Sequence, residues 1–527
     1  MVINEFLDLS AMLVPERTAI AFEGKRYSYA QLKERVNRLA DSLDRLGLKK
    51  GERAAIFEVN CNEHVEACFA TTKLGGIFVP LNFRIREEEL KYLVNKAEPT
   101  VLFIGSRYAD MVDSVCPQLP SVKHLIVIGG KYKGMLSYDE LIASGSPEEK
   151  TLAEVADEDT AILMFTAGTT GFPKGVPQDS AAYSTYVLTN VEPPNMEAPA
   201  ETNVLCMPLY HVAGMQALMA GIYGGRTIAL MRQFEEKEWL ETVQREKATR
   251  VMLVPTMLKR VVDSPDFNKY DLSCVRVVTY GAAACPYEVL KKTIECFPGR
   301  ALINAFGGTE TSSTIAALRA EDQIITGKET EAEREKKLRR LASSIGLPVG
   351  DVEIQVRDEK GRVLPRGKLG EVVVRGSRVM KGYWKDEEKT KKAFTPDGWY
   401  RTNDLGYIDE EGYIYLAGRI DDVIVRGGEN IGPDEVESVL SAHPKVEEVA
   451  VIGVKDIEWG QEVRAIIRLK PGQTATEQEI IDFCRPRLAS FKRPSSVIFV
   501  KEELPKTSTG KVLRRTLREK YGQPLAK

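Results

Sequence analysis

Apolar positions along the first hundred residues switch between two periods. Leu32, Val36, Leu39, Leu43 and Leu46 recur at helical spacing behind Ser28 and Gln31, which form a capping box, until Gly47 and Gly51 end the pattern. The strand-like run AAIFEV follows, then a helical stretch from His64 to Leu74, the strand-like GGIFVPL, a second helical stretch from Arg86 to Lys96, and TVLFIG. This alternation predicts a parallel sheet with helices packed against it, so the first several hundred residues are expected to be α/β. No internal repeat or long low-complexity linker breaks the pattern.

From about Gly350 the texture changes to short runs, VEIQV, GEVVVRG and GYIYLAG, divided by turn chemistry such as DEKG and DEEG. These predict an antiparallel sheet or a small barrel-like section over about 345–418. The charged segment KETEAEREKKLRRLA between the two regions reads as a solvated helix or a surface insertion. After Gly418 alternating helices and short strands predict a separate small α+β domain, which divides the chain into 1–420 and 421–527. Its opening, GRIDDVIVRGGENIGPDEVE, with two close glycine positions and six acids, fits either a hinge or a charged loop.

Composition narrows the function classes. At 527 residues the chain exceeds what one core supports, and three to four structural units are expected. A net charge of −3 with 28% charged residues leaves no basic surplus for nucleic acid. The eight cysteines (61, 68, 116, 206, 274, 285, 296, 484) form no C-x-x-C pair and only four histidines are present, which predicts reduced thiols in a cytoplasmic protein and no zinc site. The N-terminus MVINEFLDLSAMLVPE lacks a basic segment followed by an apolar core, so no secretory signal is expected. The apolar window from Ala213 to Met231 is broken by Gln216, Gly224, Gly225 and Arg226, and is expected to be a buried helix and strand and not a membrane span.

Candidate chemistry begins at FTAGTTGFPKGV, Phe165 to Val176, directly after the apolar AILMF. Glycines and threonines behind a strand can turn backbone N–H groups and hydroxyls toward one point, a geometry suited to phosphate, and Lys174 adds a cation. The lysine follows proline and precedes glycine, so the Walker spacing G-x-x-x-x-G-K-[ST] fails; G-x-G-x-x-G is absent as well. Taken alone, the loop fits a phosphate cradle or a structural turn.

Four further stretches accompany it: LYHVAG (209–214), NAFGGTET (304–311), GWYRTNDLG (398–406) with GRIDD (418–422), and PKTSTGK (505–511). In this order and spacing they resemble the adenylate-forming superfamily of acyl-CoA synthetases, luciferases and peptide-synthetase adenylation domains, over nearly the whole chain. LYHVAG and GRIDDVIVRGGENI are most similar to the aryl-CoA ligases, such as the chlorobenzoate enzymes. The chain departs from the pattern at Phe165 and Ala167, where tyrosine and serine are usual, at Phe306, where a tyrosine is usual, and at Asn403, where T-G-D has glycine.

The resemblance implies a doubly wound α/β N-terminal domain with a barrel-like section and a C-terminal domain that rotates. It implies a two-step reaction: a carboxylate attacks the α-phosphorus of ATP and expels pyrophosphate, then the thiol of coenzyme A attacks the acyl-adenylate and releases AMP. ATP, Mg²⁺ and coenzyme A are the implied cofactors and substrates. Lys511 would bridge the carboxylate and α-phosphate, and Glu310 would bind Mg²⁺. Thr166, Gly168, Thr169, Thr170, Gly171, Lys174 and Thr309 would hold phosphates. Gly281, Ala282, Ala283, Asn304, Ala305, Phe306 and Gly307 would line the adenosine, with Asp404 and Arg419 at the ribose. Asp421 would be the hinge, and Arg426, Gly427, Gly428, Glu429 and Asn430 would line the pantetheine tunnel after rotation. His211, either a core histidine or a gate beside the acyl carboxylate, would form the acyl pocket with Val212, Ala213, Gly307 and the helix from Tyr183 to Thr189.

The expected acid is aromatic, alicyclic or medium-chain. A carrier-loading or adenylate-oxidising enzyme and a catalytically silent nucleotide binder are the alternatives. No carrier-like segment follows the C-terminal domain, the end PLAK is no peroxisomal address, and Glu310, Asp404 and Lys511 are all present, so the ligase is preferred. A homodimer is left open.

Overall fold

The computed structural model describes residues 1–149, 154–166, 173–283, 285–318, 324–325, 327–427, 429–506 and 512–524. The expected capping box is present: Ser28 Oγ accepts from the Gln31 backbone N–H and Gln31 Oε1 accepts from that of Ser28, opening the helix Tyr29–Arg45. The next two expected helices run over Asn62–Lys73 and Glu87–Ala97.

Two sheets build the large unit. In the first, Arg53–Phe57 lies between Ile77–Pro80 and Val101–Gly105, all parallel; His124–Ile128 extends one side and Thr160–Thr166 the other, where Lys174–Asp179 is the antiparallel edge. In the second, Thr227–Leu230, Thr202–Leu205, Arg250–Leu253, Val277–Gly281 and Ala301–Gly308 lie parallel in that spatial order. The strand Thr18–Phe22 crosses from the N-terminus to pair with Thr227–Leu230. Helices pack between the sheets, and one core joins Ile56, Phe78 and Ile162 of the first to Ile20, Leu205 and Ile228 of the second through Phe6, Leu39, Phe69 and Met219. Apolar burial on both faces is what a parallel sheet requires.

The region 345–418, where the sequence allows an antiparallel sheet or a barrel, takes the first form. Ser344–Pro348 pairs with Ser313–Ala317 on one edge and Ile414–Arg419 on the other, so these strands prolong the second sheet, and among the described residues its order ends at Val352–Arg357 without closing. The charged segment forms the helix Glu331–Ser343, which is not wholly solvated. Leu338 and Leu341 are buried, and the Leu341 carbonyl accepts from Tyr280 Oη at 2.9 Å, so the helix backs the strand Val277–Gly281.

The small unit corrects the expectation of short strands. Val446–Asp456 and Gly460–Leu469, 11 and 10 residues long, form a hairpin because VEEVAVIGV and EVRAIIRL place small or branched apolar residues on both faces. Ser496–Val500 and the short strands Ile424–Arg426 and Glu429–Ile431 complete its sheet. The expected buried helix and strand after His211 are Val212–Tyr223 and Thr227–Leu230. Among the described residues no helix is long and apolar enough to cross a membrane.

Candidate active site

Strand ends from both sheets bring the candidate residues together. Thr166 ends its strand opposite Lys174, the first residue of the antiparallel edge. Lys174 Nζ donates to Tyr383 Oη at 2.7 Å and lies 4.1 Å from that ring's centroid, and Tyr383 Oη donates to Glu310 Oε1 at 3.1 Å. One buried phenol thus joins the candidate phosphate cation to the candidate metal carboxylate. Burial holds the Lys174 ammonium below the ordinary lysine value, while the charge of Glu310 opposes that shift. Burial pushes the Tyr383 phenol up, and the Glu310 carboxylate adds to it.

Glu310 sits in a single 3-10 turn, Thr309–Thr311, after the strand Ala301–Gly308. The turn is fixed from three directions. Gly308 N–H donates to Thr311 Oγ1 at 3.0 Å, the Glu310 carbonyl accepts from Met380 N–H at 2.8 Å, and the Thr309 carbonyl accepts from Gln178 Nε2 at 2.8 Å. Gln178 is buried, and its Oε1 accepts from the buried Tyr183 hydroxyl at 2.6 Å. A buried amide with both ends paired orders its neighbours more than it costs in desolvation.

The segments expected at adenosine are adjacent strand ends. Gly281 is in register with Ala305, and a Cβ on Gly281 would come within 2.2 Å of the Ala305 carbonyl oxygen, so only glycine fits there. Ala282 follows in the left-handed region, at φ 64°. Ala283 continues that turn, and Asn304 is tied down by its Nδ2 donating to the Ser344 carbonyl at 3.0 Å. Phe306 and Gly307 flank a register shift against Ser313–Ala317.

Asp404 and Arg419 face each other across neighbouring strands, and Arg419 Nη1 donates to Asp404 Oδ1 at 3.1 Å. Burial would lower the ionisation of Arg419, but Asp404, Tyr400 and Glu310 together outweigh it, so its guanidinium is held above the ordinary value. Lys174 and Arg419 also sense one another's charge, which places the Asp404–Arg419 pair in one electrostatic neighbourhood with the Lys174–Tyr383–Glu310 bridge. Asn403, at φ 62°, takes the left-handed conformation that asparagine tolerates, and its Nδ2 donates to Asp421 Oδ2 at 2.6 Å.

His211 caps the helix that carries Val212 and Ala213 and packs on Tyr210 with ring centroids 4.4 Å apart. The loop before it hangs on Asn60, whose Nδ2 donates to the carbonyls of Met207 and Met231 and whose Oδ1 accepts from Leu209 N–H. Within the small unit, Arg426 pairs with Glu462 and with the Phe491 carbonyl, Gly427 donates to the Trp459 carbonyl, and Glu429 is exposed opposite Arg426, while Glu447 of the hairpin reaches Lys259 of the large unit at 3.1 Å. Gly168, Thr169, Thr170, Gly171, Gly428 and Lys511, with Ala167, lie outside the described residues, and the side chain of Asn430 does also.

Motif reading missed Tyr383, Gln178 and Asn60. Tyr383 lies in MKGYW and meets Glu310 from 73 positions away, so no spacing rule connects them. The one local signal is an aromatic pair, Tyr383 and Trp384, set among charged residues. A magnesium ion fits the donor set: one carboxylate beside threonine hydroxyls is the usual protein share for a nucleotide-bound Mg²⁺, and among the described residues no cluster of three or more histidine, cysteine, aspartate or glutamate side chains offers a full cage.

Comparison with known proteins agrees with this geometry. The family described as AMP-binding enzyme matches residues 7–384, and the one described as AMP-binding enzyme C-terminal domain matches 435–511. The medium-chain acyl-CoA ligase ACSF2, mitochondrial, of Rattus norvegicus is 33% identical over 99% of this chain and 88% of its own length. The indoleacetate–CoA ligase of Aromatoleum aromaticum is 30% identical over 98% of both chains. The crystal structure of the anthranilate CoA ligase AuaEII with anthranoyl-AMP superposes with a TM-score of 0.88 at 28% identity, over 99% of this chain and 97% of that one. The chain therefore belongs to the AMP-binding enzyme family, large and small units together.

Proposed function

We propose that this protein is an AMP-forming acyl-CoA ligase acting on an aromatic, alicyclic or medium-chain carboxylic acid. The observation that carries the reading is the Lys174–Tyr383–Glu310 bridge in one electrostatic neighbourhood with the Asp404–Arg419 pair, which would give phosphate, metal and ribose separate contacts.

In the first half-reaction two anions must meet, so catalysis rests on cations placed where charge accumulates. Lys174 leaves the Tyr383 hydroxyl for the pyrophosphate side of ATP, and Lys511 bridges the incoming carboxylate and the α-phosphate. Glu310, with Thr309 and Thr166, would hold Mg²⁺, which would offset charge on the phosphate oxygens. Asp404 accepts from the ribose hydroxyls while the hydrogen bond from Arg419 orients it. Strand ends 281–283 and 304–307 bring backbone and small side chains against the adenine ring.

In the second half-reaction the small unit turns about Asp421, and the segment Arg426, Gly427, Gly428 and Glu429 lines the path of the pantetheine arm. His211, Val212, Ala213 and Gly307 form the mouth of the acyl pocket. The relatives differ in the acids in their names, a medium-chain acid in one and aromatic acids in two, which supports the range proposed. The test is kcat/KM over benzoates, cyclohexane and cyclohexene carboxylates and C4 to C10 chains. One class standing at least tenfold above the rest assigns the acid; preference for a dicarboxylate or a chain beyond C12 rejects the range.

A further inference from the structure

Asp421 and Asp422 are adjacent, yet their carboxylates belong to different units. Asp421 Oδ2 accepts from Asn403 Nδ2 at 2.6 Å, and Asn403 lies in the strand Tyr400–Ile408 of the large sheet. Asp422 accepts from Arg518 Nη2 at 2.6 Å and from Arg514 Nη1 at 3.4 Å, both on the helix Arg514–Tyr521 of the small unit. Arg514 is anchored further by Glu437 at 2.8 Å and by Asp434. Both aspartates sit in the single 3-10 turn Ile420–Asp422, between the last strand of the large sheet and the first strand of the small one. Side-chain anchoring therefore changes from one unit to the other across the peptide between Asp421 and Asp422.

Asn403 suits this contact for two reasons. Its φ of 62° is open at little cost to glycine and asparagine, and of these two only asparagine carries an amide that can donate. Its acceptor is a carboxylate, so the bond is charge-assisted. The Asp422 side is the heavier anchor, two guanidinium groups backed by further carboxylates, whereas the Asp421 side is one partly exposed hydrogen bond. The weaker of two anchors in series is the one that opens first.

We propose that Asn403 is a positioning residue that latches Asp421 to the large unit and so favours the domain arrangement of this structure. Rotation of the small unit breaks the Asn403–Asp421 hydrogen bond together with the Lys259–Glu447 ion pair that also joins the two units, while Asp422 travels with Arg514 and Arg518. The use of this motion between half-reactions rests on the ligase reading above; the existence of the latch does not.

The test is hydrogen–deuterium exchange on the full chain without substrates, read at residues 418–425, where the Val423 amide donates to the Arg419 carbonyl. Asn403→Gly and Asn403→Asp both keep the backbone conformation and remove the donor. Each is expected to raise exchange there about three- to tenfold, with the hairpin 446–469 unchanged. Asp421→Asn keeps an acceptor oxygen and is expected to stay near wild type, whereas Asp421→Ala matches the Asn403 variants. Wild-type exchange in both Asn403 variants overturns the latch. In the kinetic arm, Asn403→Gly is expected to change the ratio of adenylation to thioester formation from supplied adenylate by a similar factor at unchanged KM for ATP. An unchanged ratio with faster exchange overturns the positioning role, and absence of both half-reactions in the wild type counts against the ligase reading alone.

Discussion

The Tyr383 phenol donates its hydrogen to the Glu310 carboxylate across 3.1 Å. The same oxygen accepts from Lys174 at 2.7 Å, so one hydroxyl holds a cation and an anion at the spacing they need before ATP arrives. Tyr383→Phe keeps the ring under the ammonium and removes only that bridge. Once Lys174 has turned to phosphate, the Tyr383–Glu310 bond still orients the carboxylate, and one charge-assisted hydrogen bond is worth about 1.5–3 kcal/mol, so adenylation is expected to slow at least tenfold. Single-turnover conversion of supplied acyl-adenylate to thioester is expected to stay within twofold of wild type; equal loss in both half-reactions contradicts the assignment.

Lys174 gives the site a pH dependence. Burial lowers its proton affinity, and contact with phosphate restores it, so ATP binding is coupled to keeping that proton. As the pH rises toward the ordinary lysine value, Lys174 titrates early and KM for ATP rises. In Lys174→Arg the cation persists, and the KM profile is expected to be flat over the same range. Parallel profiles for the two proteins would show that another group is responsible.

Asn60 is a structural prediction. Its three hydrogen bonds satisfy the Met207 carbonyl and the Leu209 N–H of the loop ahead of His211, and the Met231 carbonyl just after the strand Thr227–Leu230, all buried. Asn60→Ala strands those groups and is expected to cost about 2–4 kcal/mol, seen as a lower denaturant midpoint at unchanged slope. Loss of kcat/KM for the acid should exceed loss for ATP if the displaced loop carries the proposed acyl pocket.

Much of the fold was legible because its signals are local. The capping box at Ser28, the helical repeat behind it and the strand-like runs each lie within one element, and each motif is one contiguous stretch of sequence. What could not be read depends on pairings between distant segments. Nothing in Thr18–Phe22 says that it crosses to Thr227–Leu230, because any apolar strand of that length would pair equally well on pattern alone. The antiparallel run after Ser344 reads the same whether it closes or prolongs another sheet. The bridge from Lys174 to Tyr383 spans 209 positions and shows only once the strands are assembled. In the small unit the strands are longer than expected, and Gly453 sits mid-strand opposite Val463, where a Cβ would crowd the Gln461 side chain.

In the proposed reaction this site joins a carboxylate to AMP and then passes the acyl group to coenzyme A. The most direct measurement is acid-dependent exchange of labelled pyrophosphate into ATP, followed on the same enzyme by AMP release when coenzyme A is added. The account predicts exchange with at least one aromatic, alicyclic or medium-chain acid, stoichiometric AMP and acyl-CoA on adding the thiol, and loss of exchange in Lys511→Ala with thioester formation from supplied adenylate retained. Exchange that is independent of acid, or exchange without AMP release on adding coenzyme A, would contradict it.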